Sequence, residues 1–410
     1  MAKYILLRDR NAGLLPPSPV LRRGASRSGP VLRSSQAEVD DIPFAPEVET
    51  VELSAKDLRD AARDPEVCAI ARAMPTRLIE PEPLDEARPD DALPGWGAAA
   101  TGADSCPLSG AGVRVAVLDT GVDADHAAFI GVTLTRHDFA GSGNHDANGH
   151  GTHVAATIFG RSVDGVRIGI SPGITDALIA KVLTDDGRGS TDMLFNALCW
   201  AGAHRARVIA MSLKLDFAGF ADTLVQQHGF PVLLATSVAL ESYRMNLRMF
   251  AMLSDMLSAQ TATEGGCLLL AAAGNDSRRT VSPEFEVSAS APAAARRVIS
   301  VGAVAHGDTG LTVAPFSNIA PTLAAPGVGI ISAASGGGLR ALNGTSMACA
   351  HAAGIAALWA EFLATTGQYV TADGIKAKLR ASATKARFAP EFGPTDYGLG
   401  LAQAPGARPS

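Results

Sequence analysis

The sequence predicts an α/β protein: a doubly wound, mainly parallel sheet flanked by helices, preceded by a small α+β unit. Three observations carry that expectation. From Ala111 onward, short and uniformly apolar runs recur, each bounded by Gly, Asp or Ser, as strands buried on both faces require. Helix-forming stretches separate these runs, so strand and helix alternate. Finally, 47% of the 410 residues are hydrophobic and 19% are charged, enough apolar material for a large core.

Taken in order, Tyr4 to Leu7 reads as a short strand. Residues 11–41, rich in Pro, Ser, Gly and Arg, read as a flexible insertion. Ser54 sits at an N-cap position, followed by helix formers to Asp64 and a stop at Pro65, and Val67 to Met74 resumes an apolar pattern. These pieces make a domain of residues 1–80. Residues 81–95, dense in proline and acid, read as an exposed linker and cleavage region. In the remaining domain, 96–410, the expected strands are Val113 to Asp119, Leu178 to Leu183, Val208 to Leu213, Cys267 to Ala273 and Val298 to Val304. Helices are expected at His153 to Phe159, Thr191 to Ala206, Ser242 to Gln260 and Thr345 to Leu363. Ligands of such a fold sit beyond the carboxyl ends of the strands.

Charge and cysteine usage narrow the function. Thirty-five Lys and Arg against 41 Asp and Glu give a net charge of −6, and no basic cluster is dense enough for a nucleic-acid groove. The five cysteines, Cys68, Cys106, Cys199, Cys267 and Cys349, form no C-x-x-C pair, which argues against a disulfide scaffold or a zinc site. The first residues lack the apolar stretch of a signal peptide, and no uninterrupted apolar run approaches the roughly 18 residues of a membrane span. A cytoplasmic protein without membrane or nucleic-acid partners is expected, with leaderless export an alternative. The oligomeric state is not legible.

Three segments could do chemistry. Asp119-Thr120-Gly121 ends the first long strand, Asn148-Gly149-His150-Gly151-Thr152-His153 runs into a helix, and Asn343-Gly344-Thr345-Ser346 opens another. Singly, each has an ordinary explanation; a serine at a helix start is usually a cap. Together they offer a hydroxyl nucleophile, an imidazole to take its proton and a carboxylate to orient that imidazole, which is what acyl transfer needs. Ala271-Ala272-Ala273-Gly274-Asn275 adds an amide donor for a developing oxyanion. His153 is three residues from His150 without a third ligand, so no metal site is expected.

With VAVLDTGVD, HGTHVA, AAAGN and NGTSMA in that order, the chain resembles the subtilisin-like serine peptidases, the S8 or subtilase family, from about Trp96 to near the C-terminus. The resemblance implies Ser346 as nucleophile, His150 as general base and then acid, and Asp119 as the group that fixes the imidazole tautomer. It implies Asn275 and the Ser346 N–H as oxyanion donors; losing such an amide costs on the order of 100 to 1,000-fold, a magnitude borrowed from a member of that family. It further implies that Gly187, Arg188, Gly189, Ser212, Leu213, Lys214, Ala273 and Gly274 bind an extended peptide or protein substrate. The activity implied is a serine endopeptidase made as a zymogen, with residues 1–80 as a propeptide partner that is self-cleaved between about Ile79 and Pro94. A peptide-processing transpeptidase or macrocyclase, and a peptide-binding pseudoprotease, are the alternatives.

The departures from the family also set expectations. Lys214 stands where the family has glycine, which means either a pocket for acidic or polar side chains or a lysine solvated away from it. Sixty residues separate Lys214 from Gly274, about twice the length the resemblance implies, so Leu215 to Val238 is either an insertion restricting the cleft or a packed elaboration. Ala128 and Val163 occupy positions where the family often binds calcium, so that site is expected to be lost and no cofactor is implied. Cys349, one helical turn after Ser346, reads as a buried small hydrophobe within reach of thiol reagents.

Overall fold

A computed structural model describes residues 2–9, 46–83, 93–258, 265–307 and 310–406. The expected insertion at 11–41 and most of the expected linker lie outside the described residues. The first unit is a three-stranded antiparallel sheet. In it, β1 (Ala2–Asp9) runs between β2 (Pro46–Leu53) and, after α1 (Ala55–Ala61), β3 (Val67–Arg72). Ser54 begins α1 with a capping box: its hydroxyl accepts from the Asp57 N–H, and the Asp57 carboxylate accepts from the Ser54 N–H. A fourth strand, β4 (Pro75–Leu78), leaves this sheet altogether.

The main unit follows the expected alternation. The chain runs through α2 (Trp96–Thr101), β5 (Val115–Asp119), β6 (Thr133–Asp138), α3 (His150–Phe159) and β7 (Asp176–Lys181). Next come β8 (Arg188–Ser190), α4 (Thr191–Ala203), β9 (Val208–Met211) and β10 (Leu213–Leu215). Two helices, α5 (Phe217–Gln226) and α6 (Val232–Ser258), precede β11 (Leu268–Ala272). Then follow β12 (Ile299–Gly307), β13 (Gly310–Val313), β14 (Leu323–Pro326) and a hairpin of β15 (Ile330–Ala333) and β16 (Leu339–Leu342). The last helices are α7 (Thr345–Thr365), α8 (Ala372–Ser382) and α9 (Pro394–Tyr397).

The large sheet has the order β13-β12-β11-β9-β5-β7-β6, with β14 also on β12, and is parallel except at β13. Side chains alternate across each strand. On β5, Val115 and Val117 face one apolar layer with Val154 and Ile158 of α3 and Ile355 and Leu358 of α7. Ala116 and Leu118 face the other, with Leu194 and Leu198 of α4 and Phe250 and Leu253 of α6. Strands clothed on both faces by helices must be apolar at every position, which is why they read as continuous runs.

The second layer continues into the N-terminal sheet. Ile5, Leu7 and Ala71 are fully buried in the same cluster, because β2 lies on α4 and β3 on α6. Lys3 pairs with Asp192 at 2.7 Å, and Asn246 Nδ2 donates to the Arg72 carbonyl at 2.8 Å.

Several boundaries differ from expectation. Helix α3 begins at His150 rather than His153, launched from Gly149 at φ 83°. Helix α6 starts ten residues before Ser242 and packs on β3; with α5 it accounts for residues 217–226 and 232–258 of the long Lys214 to Gly274 stretch, and the Arg72 guanidinium lies over Phe220 of α5. Helix α7 is long and apolar enough to cross a membrane by composition, although no single run is uninterrupted. Its burial under the sheet accounts for that composition.

Gly354 marks where α7 packs most closely: a Cβ there would sit 2.6 Å from the Ile170 Cβ. Gly354→Ala gains about 1 kcal/mol of helix propensity and incurs an overpacking cost of roughly 1–3 kcal/mol. Urea unfolding is expected to show net destabilisation; unchanged or higher stability would refute the close contact.

Candidate active site

The carboxyl edge of the sheet collects the predicted residues. Asp119 closes β5 and is completely buried; its Oδ1 accepts from the Thr120 N–H at 2.8 Å and from His150 Nδ1 at 2.8 Å. An imidazole that donates from Nδ1 to a carboxylate presents Nε2 as its basic nitrogen. Ser346, in the first turn of α7, is 1% exposed.

Two charged residues that the sequence did not single out hold this geometry. Asp146 is fully buried, and its carboxylate accepts from Thr120 Oγ1, the Gly149 N–H, the Thr152 N–H and Thr152 Oγ1, all within 2.8 Å. It ties the loop after Asp119 to the turn that launches His150. Lys181, also buried, donates to the carbonyls of Thr120 and His145 and to Asp185. A buried charge is tolerable only when so satisfied. The one available signal for Asp146 was its place just ahead of Asn148-Gly149-His150, where an acid also reads as ordinary loop composition. Gly151 allows the close approach of the two loops, since a Cβ there would lie 2.2 Å from the Gly121 carbonyl oxygen.

Asn275 is oriented by Thr345, whose N–H and hydroxyl both donate to Oδ1, leaving Nδ2 aimed at the cleft. Gly274 before it has φ 117°, and any Cβ would meet Asn318 Nδ2 at 2.3 Å. The Ala273 carbonyl accepts from Asn318 Nδ2, which fixes the same turn.

The cleft is filled by the chain itself. Strand β4 inserts antiparallel between β8 and β10: Thr76 pairs Gly189, Arg77 pairs Arg188 and Lys214, and Leu78 pairs Leu213. The Leu78 N–H donates to the Gly187 carbonyl at 2.8 Å and the Ile79 N–H to the Ser212 carbonyl at 3.2 Å. The expected substrate-binding segments therefore carry a peptide of this same chain. Beyond it, Ser346 Oγ donates to the Ile79 carbonyl at 3.4 Å, and His150 Nε2 has no hydrogen-bond partner among the described residues. Asn275 Nδ2 donates to the next carbonyl, that of Glu80, at 2.8 Å. Hydroxyl and amide donor thus engage adjacent carbonyls. Residues 81–83, expected in an exposed linker, continue through the cleft, and the Glu82 N–H donates to the Asn343 carbonyl.

The Lys214 ammonium is ion-paired with Asp276. His153 Nε2 meets the carbonyls of Ile330 and Arg340, and burial pushes its imidazole down to about 3. Ala128 is a buried methyl and Val163 bridges to Val166, so neither position supplies a side-chain oxygen. Burial raises the Cys349 thiol to about 12, which removes the thiolate that reagents attack.

Burial likewise lowers His351, to about 4. Unfolded imidazoles take up protons below about 6.5, whereas folded His153 and His351 stay neutral. Their contribution to stability is therefore full above about pH 6.5 and is lost as pH falls, toward about 4 for His351 and about 3 for His153. Each adds up to about 1.4 kcal/mol per pH unit in that window. Urea midpoints of the Ser346→Ala chain are expected to drop steadily from pH 6.5 to 5, less steeply in a His351→Gln variant; a flat profile would contradict this.

Residues 110–400 match the subtilase family, Peptidase S8. Subtilisin-like protease 5 of Trichophyton verrucosum is 32% identical over 253 residues, 61% of this chain and 52% of that protein. Subtilisin-like protease 1 of Trichophyton rubrum is 30% identical over 316 residues, 73% of this chain and 52% of that protein. Its namesake in Arthroderma benhamiae is 31% identical over 313 residues, 73% and 66% of the two chains. The chain thus spans about half the length of several relatives it matches. With 110–400 matched over the sheet, the Asp119 and His150 loops and the Ser346 helix, the chain belongs to the subtilase family.

Proposed function

We propose that the protein is a serine endopeptidase made as a zymogen, whose N-terminal unit ends in a strap, residues 75–83, that the enzyme itself cuts. The observation that carries the reading is the path of β4. It joins β8 and β10 by main-chain pairing, as a substrate does in strand addition, and delivers the Ile79 carbonyl to Ser346 Oγ at 3.4 Å.

In this reading Ser346 Oγ attacks the Ile79 carbonyl carbon while His150 Nε2 takes the hydroxyl proton. Asp119 holds the resulting imidazolium in place. Asn275 Nδ2 and the Ser346 N–H donate to the oxyanion. The C–N bond to Glu80 then breaks as His150 returns the proton to the Glu80 nitrogen, and water hydrolyses the acyl ester. Because Asn275 Nδ2 rests on the Glu80 carbonyl, the Ile79 carbonyl must first take its place. Engagement of two adjacent carbonyls is a resting state in which strap cleavage is slow. The Glu80–Pro81 bond is the poorer candidate, since its leaving nitrogen belongs to a proline ring.

Intact-mass analysis of the wild-type chain is expected to show a new N-terminus at Glu80. Ser346→Ala should remain at full length, with peptide turnover lowered by roughly 10⁶-fold. A new N-terminus elsewhere would overturn the bond assignment, and unchanged turnover in Ser346→Ala would overturn the peptidase reading.

A further inference from the structure

Arg278 takes no part in the chemistry above, yet it is a built element of the cleft. Its Nη1 donates to the carbonyls of Asn275 and Ser277, at 2.7 and 2.9 Å, and lies 3.2 Å from the Glu82 carboxylate. The guanidinium is thus held by main chain before any partner arrives, which lowers the ordering cost that makes most surface ion pairs weak. Next to it, Asn343 grips the same stretch: its carbonyl accepts from the Glu82 N–H at 2.9 Å and its Nδ2 donates to the Pro83 carbonyl at 3.0 Å. The Asn343 Oδ1 is fixed by the Gly329 N–H at 2.7 Å. Glu82, Pro83, Arg278 and Asn343 themselves line a cavity of about 500 Å³, whose wall also includes Phe316 and Phe392.

Counted from the Ile79–Glu80 bond, Glu82 is the third residue on the leaving side and Pro83 the fourth. We propose that Arg278, Asn343 and this apolar cavity form a leaving-side subsite that selects substrates with an acidic residue third after the cut, followed by proline or another apolar residue. The strap is its first occupant, and protein substrates with the same pattern are its later ones. This rests on the peptidase reading and on its bond assignment.

The acidic preference is set by charge. Arg278 and Glu82 side chains are 42% and 27% exposed, so the discrimination is modest and salt-sensitive. Three peptides matching residues 75–83, with Glu, Gln or Lys at the third leaving-side position, are compared for kcat/KM with the self-processed enzyme. Glu is expected to exceed Lys by roughly 3- to 10-fold, with Gln between and the spread narrowing in 1 M salt. Arg278→Gln should flatten this ratio and Arg278→Glu should invert it. A ratio is read because Arg278 also buttresses the Asn275 turn and its loss lowers all rates together.

A second readout needs no catalysis. In the Ser346→Ala chain, Glu82→Arg and Arg278→Glu should each speed hydrogen exchange of residues 75–83, and the double swap should restore protection. Equal handling of Glu and Lys by the wild type, or a swap that restores nothing, would overturn the subsite. No cleavage of any peptide, with exchange behaving as expected, would instead overturn the peptidase reading, and the subsite with it, and leave only a contact between Arg278 and Glu82 that holds the strap.

Discussion

Asp119 is a carboxylate with no exposed surface, at the end of a strand buried on both faces, and the neighbouring structure is arranged around that charge. One of its oxygens is shared between the Thr120 main chain and the His150 imidazole, which fixes the ring and its tautomer together. A second buried carboxylate, Asp146, and a buried ammonium, Lys181, then immobilise the loops on either side. Stripping any one of these charges of its partners would leave it uncompensated in the interior, a cost of several kcal/mol. The order strand, loop, helix is therefore more than a route for the chain: it surrounds Asp146 and Lys181 with main-chain and hydroxyl partners, while Asp119 Oδ2 keeps no hydrogen-bond partner among the described residues.

The N-terminal unit obeys the same economy of contacts on a larger scale. Among the described residues, its sheet buries Ile5, Leu7 and Ala71 in one cluster with side chains of α4 and α6. Docked there, it leads β4 into the gap between β8 and β10, where an extended segment finds main-chain partners on both edges. The elongated α6 belongs to this arrangement, since Asn246 on it holds the Arg72 carbonyl just before the strap begins. Of the enlargement Leu215 to Val238, which the sequence left between cleft restriction and surface elaboration, Phe220 of α5 lies under the Arg72 guanidinium, whereas the Asn246 contact belongs to the helix expected from Ser242.

The sequence revealed most where burial imposes a pattern. Runs such as VRVAVLD and CLLLAAA became β5 and β11 because strands covered on both faces admit little else. Asp119 ends β5 and Asn275 follows β11, while His150 and Ser346 lie in the first turns of α3 and α7, helices that pack on the same face of that sheet. What stayed hidden depends on partners distant in sequence. Glu80-Pro81-Glu82-Pro83 has the composition of a linker, and nothing local says that Asn275, Asn343 and Arg278 will bind it. Lys214 stood between a pocket cation and a solvated one, and nothing local says that Asp276, far along the chain, lies beside it. Asp146 resembles any loop acid until its four hydrogen bonds are drawn.

The central claim is that Ser346 is a nucleophile activated by His150 and covered by the chain's own strap. A fluorophosphonate probe, with the modified residue located by mass spectrometry, tests it directly. The account predicts label on Ser346 alone, slow in the uncut chain and at least about tenfold faster once the strap is severed, since an occupied cleft reduces apparent reactivity by the fraction open. Failure to label Ser346 in either form, or equal rates in both, would contradict it.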